Sequence, residues 1–109
     1  MNFEIILTEP FQRKVKHLIK KFASFSNELR ELTDSLSENP EQGTSLGNNC
    51  YKIRVAIKSK GKGKSGGARV ITYVKTPKNK LYLIDVYDKS EQSTISEKEL
   101  KLLVDLLAE

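Results

Sequence analysis

The sequence is poor in the residues that most often build metal centres, disulfides and membrane spans. It has one cysteine, one histidine and no tryptophan. A single cysteine excludes an internal disulfide and suggests a reducing compartment, so we expect a cytoplasmic protein. Because His17 and Cys50 are far apart and no carboxylates have metal-ligand spacing, we expect no metal and no small-molecule cofactor. No apolar run approaches the roughly 20 residues that span a bilayer, so we expect no membrane contact.

Acidic residues are absent from a long central stretch, residues 51–80. This stretch carries ten of the nineteen Lys and Arg, whereas the rest of the chain has nine of them against all fourteen Asp and Glu. Positive charge concentrated in this way is typical of a surface that binds a polyanion, most often RNA or DNA. The alternative is a solvated surface that only aids solubility, and the complete lack of carboxylates favours the polyanion.

The apolar residues follow strand and helix periods along the whole chain. Alternation predicts strands at residues 3–7, 51–58, 68–75 and 81–87, and the helical period predicts helices at residues 11–22, 25–36 and from Ser96 onwards. Thr8, ahead of Pro10, looks like the start of the first helix, and Ser96 with Glu99 matches a capping box. We expect residues 41–49, with two glycines, to form a loop.

The predicted order is β-α-α-β-β-β-α in one domain, residues 1–109. Because short links join the last three strands, they are expected to form a meander. The predicted class is therefore α+β, with a twisted, mainly antiparallel sheet and the helices packed on one face. The other face would expose Lys52 and Arg54, with Arg69 alongside.

A glycine- and lysine-rich segment, residues 59–67, joins two of the predicted strands; we call it the basic loop. Its Gly63-Lys64-Ser65 invites a phosphate-loop interpretation, but that motif needs a glycine where Lys58 stands. Nucleotide hydrolysis is therefore rejected. The glycines would let the backbone approach phosphates while lysines supply charge, and the alternative is a flexible hairpin link without a specific role.

RNA can be cleaved without a metal or a histidine pair. The ribose 2′-hydroxyl attacks its adjacent phosphate when cations stabilise the developing charge. Arginine offers a planar fork for phosphate oxygens, and a lysine among other cations can act as a base. The chain can supply such a site from the sheet and the basic loop, whereas Cys50 is expected to be a small apolar residue at a strand start.

Three segments together resemble the HigB branch of the RelE-type toxins. They are Lys52-Ile53-Arg54, then Ser59-Lys60-Gly61-Lys62-Gly63-Lys64-Ser65-Gly66-Gly67-Ala68-Arg69-Val70-Ile71, and then Leu83-Ile84-Asp85-Val86-Tyr87-Asp88-Lys89-Ser90-Glu91. The resemblance spans most of the chain, including the paired first helices and the helix that opens at Ser96. Its most specific part is Gly66-Gly67-Ala68-Arg69.

The resemblance implies an endoribonuclease that cuts messenger RNA in the ribosomal A site. It also implies neutralisation by a cognate antitoxin, commonly a helix-turn-helix protein in this branch. Carried over by position, Arg69 would grip the scissile phosphate, and Lys89 would take a cationic position where relatives often have arginine.

The remaining site residues implied by the resemblance surround these two. Lys60, Lys62 and Lys64 would be the cations of the basic loop, one of them a base, and Lys52 and Arg54 would hold flanking phosphates. Relatives often stack a base on a tyrosine at the start of the last helix, but this chain has no aromatic residue around Ile95. Tyr87 and Tyr73 are the candidates to replace it.

Other functions remain open on the sequence. The same basic surface could serve a non-catalytic module that binds RNA or DNA, or dock an acidic partner protein. Toxins of the RelE fold also include members with another target, such as gyrase. The basic loop and Arg69 favour the ribonuclease.

Overall fold

The computed structural model of the protein describes residues 2–61 and 63–107. Over these residues the elements follow the order β1 (Glu4–Leu7), α1 (Glu9–Lys21), α2 (Phe25–Glu38), β2 (Thr44–Gly47), β3 (Cys50–Val55), β4 (Ala68–Lys75), β5 (Lys80–Asp88) and α3 (Glu97–Asp105). Short 3-10 turns, Lys58–Lys60 and Thr76–Lys78, precede β4 and β5. The predicted α+β class is confirmed. Lys62, one of the predicted catalytic lysines, lies outside the described residues.

The described strands form one five-stranded sheet in the order β1-β5-β4-β3-β2. β3, β4 and β5 pair antiparallel in chain order, as predicted for the meander. β2 pairs antiparallel with β3, and β1 runs parallel to β5. The two helices between β1 and β2 allow this arrangement, because they carry the chain from one edge of the sheet to the other. The mainly antiparallel sheet is confirmed.

The predicted loop at residues 41–49 is wrong in part, because four of its residues form the edge strand β2. Thr44 lies opposite Lys52 and Ser45 opposite Tyr51 on β3. The turn between the two strands has φ angles of 53° and 66° at Asn48 and Asn49. Asparagine tolerates this left-handed conformation, which suits a tight hairpin. β2 therefore forms because of the tight turn and the pairing with β3, and not because its side chains favour a strand.

The first face of the sheet carries α1 and α2. Phe11 from α1 and Phe25 and Leu36 from α2 have no exposed surface, and they pack with Val70 and Leu83 from the sheet. Complete burial of such a side chain is worth roughly 1.5–3 kcal/mol. This cluster is the main core and fixes the sheet on which the candidate site lies.

The second face carries α3, so the expectation that all the helices share one face is corrected. Leu100 of α3 and Ile95 before it pack with Ile71, Ile84 and Tyr87 in a separate buried cluster. The strands alternate apolar residues on both faces here, and both must be covered. α3 leaves uncovered the part of this face where β3 places Lys52 and Arg54.

The two predicted helix starts differ in their capping. Ser96 accepts a hydrogen bond from the Glu99 backbone N–H at 3.1 Å, as the capping box predicted. Thr8 precedes α1 as predicted, but its hydroxyl donates to the Leu83 carbonyl at 2.8 Å instead of capping the helix. Thr8 therefore ties the start of α1 to β5.

Candidate functional site

Three side chains form a row across the second face of the sheet. Arg54 on β3 lies opposite Arg69 on β4, and Arg69 lies opposite Tyr87 on β5. Directly opposed residues on neighbouring strands have Cβ atoms roughly 4.5–5.5 Å apart. Lys52 shares this face because it precedes Arg54 by two residues. We call Lys52, Arg54 and Arg69 the cationic face; the structure brings these three predicted site residues together.

Arg69 is the most deeply buried member of the cationic face, with 4 % of its surface exposed. Its guanidinium donates to the Lys64 carbonyl at 2.8 Å and to the Ala68 carbonyl at 3.1 Å. Among residues 2–61 and 63–107, no carboxylate forms an ion pair with it. A buried cation without a counter-ion is costly, and an anionic ligand would offset that cost.

The far end of the basic loop lies beside Arg69. The Lys64 carbonyl accepts from Arg69, and the Lys89 backbone N–H donates to the Gly67 carbonyl at 2.9 Å. A Cβ at Gly67 would lie 2.1 Å from the Val55 carbonyl oxygen, so no larger residue fits there. The structure therefore brings Lys64 and Lys89, both predicted to be catalytic, to the same end of the sheet as Arg69.

An open groove of about 630 Å³ runs between β3 and α2, next to the cationic face. Lys52, Arg54 and Lys64 line it on one side, and Glu28 and Glu31 line it on the other. Arg54 and Lys64 are exposed and Lys52 is half-buried. The predicted RNA-binding cations of β3 are thus accessible, whereas the α2 wall carries opposite charge.

Lys60 is not part of the cationic face. Its ammonium forms a close ion pair with Asp88 and bonds the Ser90 hydroxyl at 3.0 Å, while the Phe22 ring lies 5.4 Å away. The Lys60 side chain is 10 % exposed and that of Asp88 is 1 % exposed. Burial raises the pKa of Asp88, but hydrogen bonds from Lys60 and Ser90 outweigh it and hold the pKa below its ordinary value. RNA binding by Lys60 stays a prediction, and its observed contacts are those of a structural ion pair.

The two predicted stacking residues lie differently. Tyr87 adjoins Arg69, but it is 5 % exposed and packs with Ile95, which precedes α3. Burial raises the pKa of Tyr87 against smaller opposing effects of Arg69 and Thr94. Tyr73 packs against Tyr82 with ring centroids 6.2 Å apart, four residues along β4 from Arg69, which is about 13 Å. The structure does not bring Tyr73 to the row.

A polar cluster at the start of α2 was missed from the sequence. The buried Glu28 carboxylate accepts the Lys58 backbone N–H at 2.6 Å, and the Ser24 hydroxyl accepts the Ser59 backbone N–H at 2.9 Å. These contacts join α2 to the entrance of the basic loop, about thirty positions away in the chain. A glutamate in the first turn of a helix is too common for the sequence to have singled it out.

The environment of Cys50 agrees with the expectation of a small apolar residue at a strand start. Cys50 is fully buried at the start of β3, and burial raises the pKa of its thiol to about 11. A protonated, buried thiol is a poor nucleophile and a poor metal ligand. Within the described residues, no group of three or more His, Cys, Asp or Glu is arranged to hold a metal ion. In the same part of the chain, no helix is long and apolar enough to cross a membrane.

A sheet with a cationic face beside a glycine- and lysine-rich loop is an arrangement typical of small α+β domains that bind a polyanion. The model of one protein family, described as "RelE toxin of RelE / RelB toxin-antitoxin system", matches residues 5–108. The chain belongs to the RelE toxin family and is a toxin of a toxin–antitoxin system. The family resemblance seen in the sequence is thereby confirmed, whereas the HigB branch stays a prediction.

Two solved structures of an E. coli toxin share the fold. The first, a double arginine-to-alanine mutant of RelE in the free state, is 19 % identical with a TM-score of 0.63, and the match covers 99 % of this chain and 100 % of that one. The second, the isolated RelE toxin, is 18 % identical with a TM-score of 0.58, and the match covers 95 % and 98 % of the two chains. At this identity the likeness establishes the fold, and the roles of single residues need other support.

Proposed function

We propose that this toxin is a ribosome-dependent, metal-independent endoribonuclease that cleaves translated messenger RNA. The RelE family supports a toxin that acts on translation, and the cationic face supplies a surface for the RNA backbone. The residues proposed to carry the reaction are Arg69, Lys62, Lys64 and Lys89, with Lys52 and Arg54 on flanking phosphates. The proposed site of action is the ribosomal A site, in the cytoplasm.

Arg69 carries this proposal. Its guanidinium is buried, bonded to two backbone carbonyls and without a carboxylate partner among the described residues. Within residues 2–61 and 63–107 these two bonds leave three of its five N–H donors for another acceptor, and a phosphate oxygen matches both their charge and their geometry. Arg54, directly opposite, is exposed and can hold a neighbouring phosphate.

The chemistry needs no group beyond the chain and the RNA. The ribose 2′-oxygen attacks the adjacent phosphorus while the bond from phosphorus to the 5′-oxygen of the next nucleotide breaks. A base takes the 2′-hydroxyl proton and an acid returns a proton to the leaving oxygen, which gives a 2′,3′-cyclic phosphate and a 5′-hydroxyl. Arg69 stabilises the charge that develops on the phosphate. Lys62 or Lys64 is the base, and Lys89 protonates the leaving oxygen.

The proposed partners follow from the family. A cognate antitoxin neutralises the toxin, and on the HigB resemblance it is a helix-turn-helix protein. The ribosome holds the messenger RNA in an extended, single-stranded form, so the toxin needs only to place its cations around one phosphate. This division of labour suits a small domain whose cationic face is shallow and open.

Two observations favour a second candidate, a RelE-fold toxin that binds without cutting RNA or acts on another target such as gyrase. The first is that the Arg69 guanidinium already holds the Lys64 and Ala68 carbonyls, which is a structural role in itself. The second is that the ring of Tyr87, directly opposite Arg69, is covered, and that the buried residue before α3 is Ile95, which has no ring. Arrest of growth with intact messenger RNA would identify this candidate.

The experiment compares wild type with Arg69→Ala after induction in a bacterial host, with mapping of messenger RNA 5′ ends. We expect new 5′ ends inside translated frames with wild type and their loss with Arg69→Ala. The matched control is Arg30→Ala, which removes an exposed arginine of α2 on the other face and should cleave like wild type. Circular dichroism checks that Arg69→Ala still folds. Cleavage by the folded Arg69→Ala protein would remove Arg69 from the site.

A further inference from the structure

Glu28 is a buried carboxylate at the entrance of the basic loop. It is 6 % exposed, and its Oε2 accepts the Lys58 backbone N–H at 2.6 Å. The Ser24 hydroxyl lies 3.2 Å and 3.1 Å from its two oxygens and donates to this carboxylate. A carboxylate is costly to bury unless such donors surround it. Its donors come from both α2 and the loop entrance, so Glu28 fixes one relative to the other.

Ser24 extends the same anchor by one residue. Its hydroxyl accepts the Ser59 backbone N–H at 2.9 Å, and its own backbone N–H donates to the Ser59 hydroxyl at 3.4 Å. A glutamate near a helix start usually serves the N–H groups of its own helix. Here the first turn of α2 receives two consecutive amides, those of Lys58 and Ser59, from another part of the chain.

The other end of the basic loop is held by the candidate site. Arg69 donates to the Lys64 carbonyl at 2.8 Å, so the loop is fixed at its entrance by α2 and at its exit by β4. Between these points Gly61 and Gly63 adopt φ angles of 74° and 63°. The glycine backbone has little intrinsic stiffness, so the course of the loop depends on these two anchors and on the Lys60–Asp88 ion pair between them.

We propose that Glu28 is a positioning residue for RNA cleavage: its carboxylate fixes the Lys58 amide and thereby the course of the basic loop past Arg69. The inference rests on the proposed function. Glu28 does not touch RNA in this role and acts through the loop backbone. The negative charge of Glu28 repels RNA, so its removal would strengthen RNA binding if Glu28 acted only by electrostatics. If Glu28 acts by positioning the loop, its removal slows cleavage instead.

The test measures single-turnover cleavage of ribosome-bound messenger RNA at increasing concentrations of toxin. Glu28→Ala should lower the maximal rate at least about tenfold, because small displacements of reacting groups are costly, and should leave the half-saturating concentration within about twofold. Glu28→Gln keeps an oxygen that can accept the Lys58 N–H and should restore most of the rate. The matched control, Glu31→Ala, removes an exposed carboxylate one turn away and should cleave like wild type.

Amide hydrogen exchange in the same proteins reports the anchor itself. Faster exchange at Lys58 in Glu28→Ala, with the exchange of β4 unchanged, is expected if the loop is released in a folded protein. Where Glu28→Ala does not fold, Ser24→Ala takes its place. It removes the acceptor of the Ser59 N–H and one donor to Glu28 but leaves Glu28 bonded to Lys58, so it weakens the anchor and a smaller reduction of the maximal rate is expected; an unchanged rate would count against the positioning role.

Each contrary result has its own meaning. A folded Glu28→Ala protein with an unchanged maximal rate, or one that loses only affinity, would overturn the positioning role while the proposed function stands. A Glu28→Gln protein as slow as Glu28→Ala would also overturn it. Absence of cleavage by wild type would instead refute the proposed function, and the inference with it.

Discussion

Tyr87 shows how one residue can adjoin the site and still belong to the core. It lies directly opposite Arg69, yet its ring packs with Ile95 and is almost completely covered. Stacking on a nucleobase needs an exposed ring face. Its hydroxyl is buried without a hydrogen-bond partner among the described residues, although Thr94 is near enough to affect its pKa. In this conformation Tyr87 lies beside Arg69 on the same face of the sheet as part of the second core cluster.

Tyr87→Phe separates the ring from the hydroxyl. Removing a buried hydroxyl that has no partner should leave the free energy of unfolding unchanged or raise it by about 1 kcal/mol. Tyr87→Ala should lower it by about 3–5 kcal/mol, because it empties a packed site. Chemical denaturation measures both, and the cleavage assay should find Tyr87→Phe as active as wild type. A folded Tyr87→Phe protein without activity would show that the hydroxyl takes part in the reaction.

The sequence predicts which kinds of residue form the candidate site, but it does not predict which of them are buried, exposed or paired. The exclusion of acids around Arg54 and Arg69 indicates a polyanion surface, and alternation assigns Lys52 and Arg54 to one face. That Arg69 is buried while Arg54 is exposed depends on strand register and on the packing of Tyr87. Lys60 and Lys64 lie in the same glycine- and lysine-rich segment, but Lys60 forms an ion pair with Asp88. The two residues are 28 positions apart, so no local sequence pattern predicts this pairing.

At the scale of elements, the basic loop depends on β5 as well as on α2. Lys60 reaches the end of β5, where Asp88 also accepts the Ser90 backbone N–H at 3.0 Å. The two charged groups are nearly buried and form an ion pair, and the Lys21 ammonium lies 3.9 Å from the second oxygen of Asp88. Loss of one partner leaves the other as an uncompensated buried charge, which is why such pairs are costly to break.

Asp88→Asn should lower the free energy of unfolding at neutral pH by about 3 kcal/mol. The pKa of Asp88 is depressed in the folded protein, so its contribution is present above the ordinary carboxyl pKa of 3.8 and is lost as the pH falls through the folded value. Wild type should therefore lose more stability than Asp88→Asn between about pH 5 and about pH 2. Urea unfolding across this range is the measurement. The control is Asp34→Asn, an exposed residue of α2, and parallel pH profiles of wild type and Asp88→Asn would contradict the prediction.

The elements themselves were predictable where local chemistry decides them. α1, α2, β3, β4, β5 and the Ser96 cap follow from periodicity and capping. β2 was not, because Thr44–Gly47 has little strand preference and forms only against β3. The face of the sheet against which α3 packs could not be predicted either. β5 has apolar residues on both faces, so the sequence does not indicate which face a given helix covers. The same ambiguity hides the parallel pairing of β1 with β5.

At the scale of the whole molecule, the two faces of the sheet differ in the acidic residues that lie near their cations. The first face exposes Lys16 and Lys20 on α1, but α2 beside it exposes Glu31 and Asp34. The cationic face on the other side lies on β3 and β4, and neither strand has an acidic residue. The acid-free strands β3 and β4 therefore concentrate positive charge locally on the second face, which the net charge of +5 does not show.

Salt dependence of RNA binding can locate the binding face without any assumption about catalysis. Each phosphate contact on a single strand contributes about 0.7 to the slope of log K against log salt concentration. Lys52→Gln with Arg54→Gln should therefore make the slope shallower by about 1.4, if each contacts one phosphate. Lys16→Gln with Lys20→Gln removes the same charge from α1 and should leave the slope near that of wild type. Binding of a short single-stranded RNA, followed by fluorescence anisotropy at increasing KCl, measures both. The two double variants have equal net charge. Equal changes in slope would therefore mean that RNA is attracted by the charge of the whole molecule, and that the cationic face is not the binding surface.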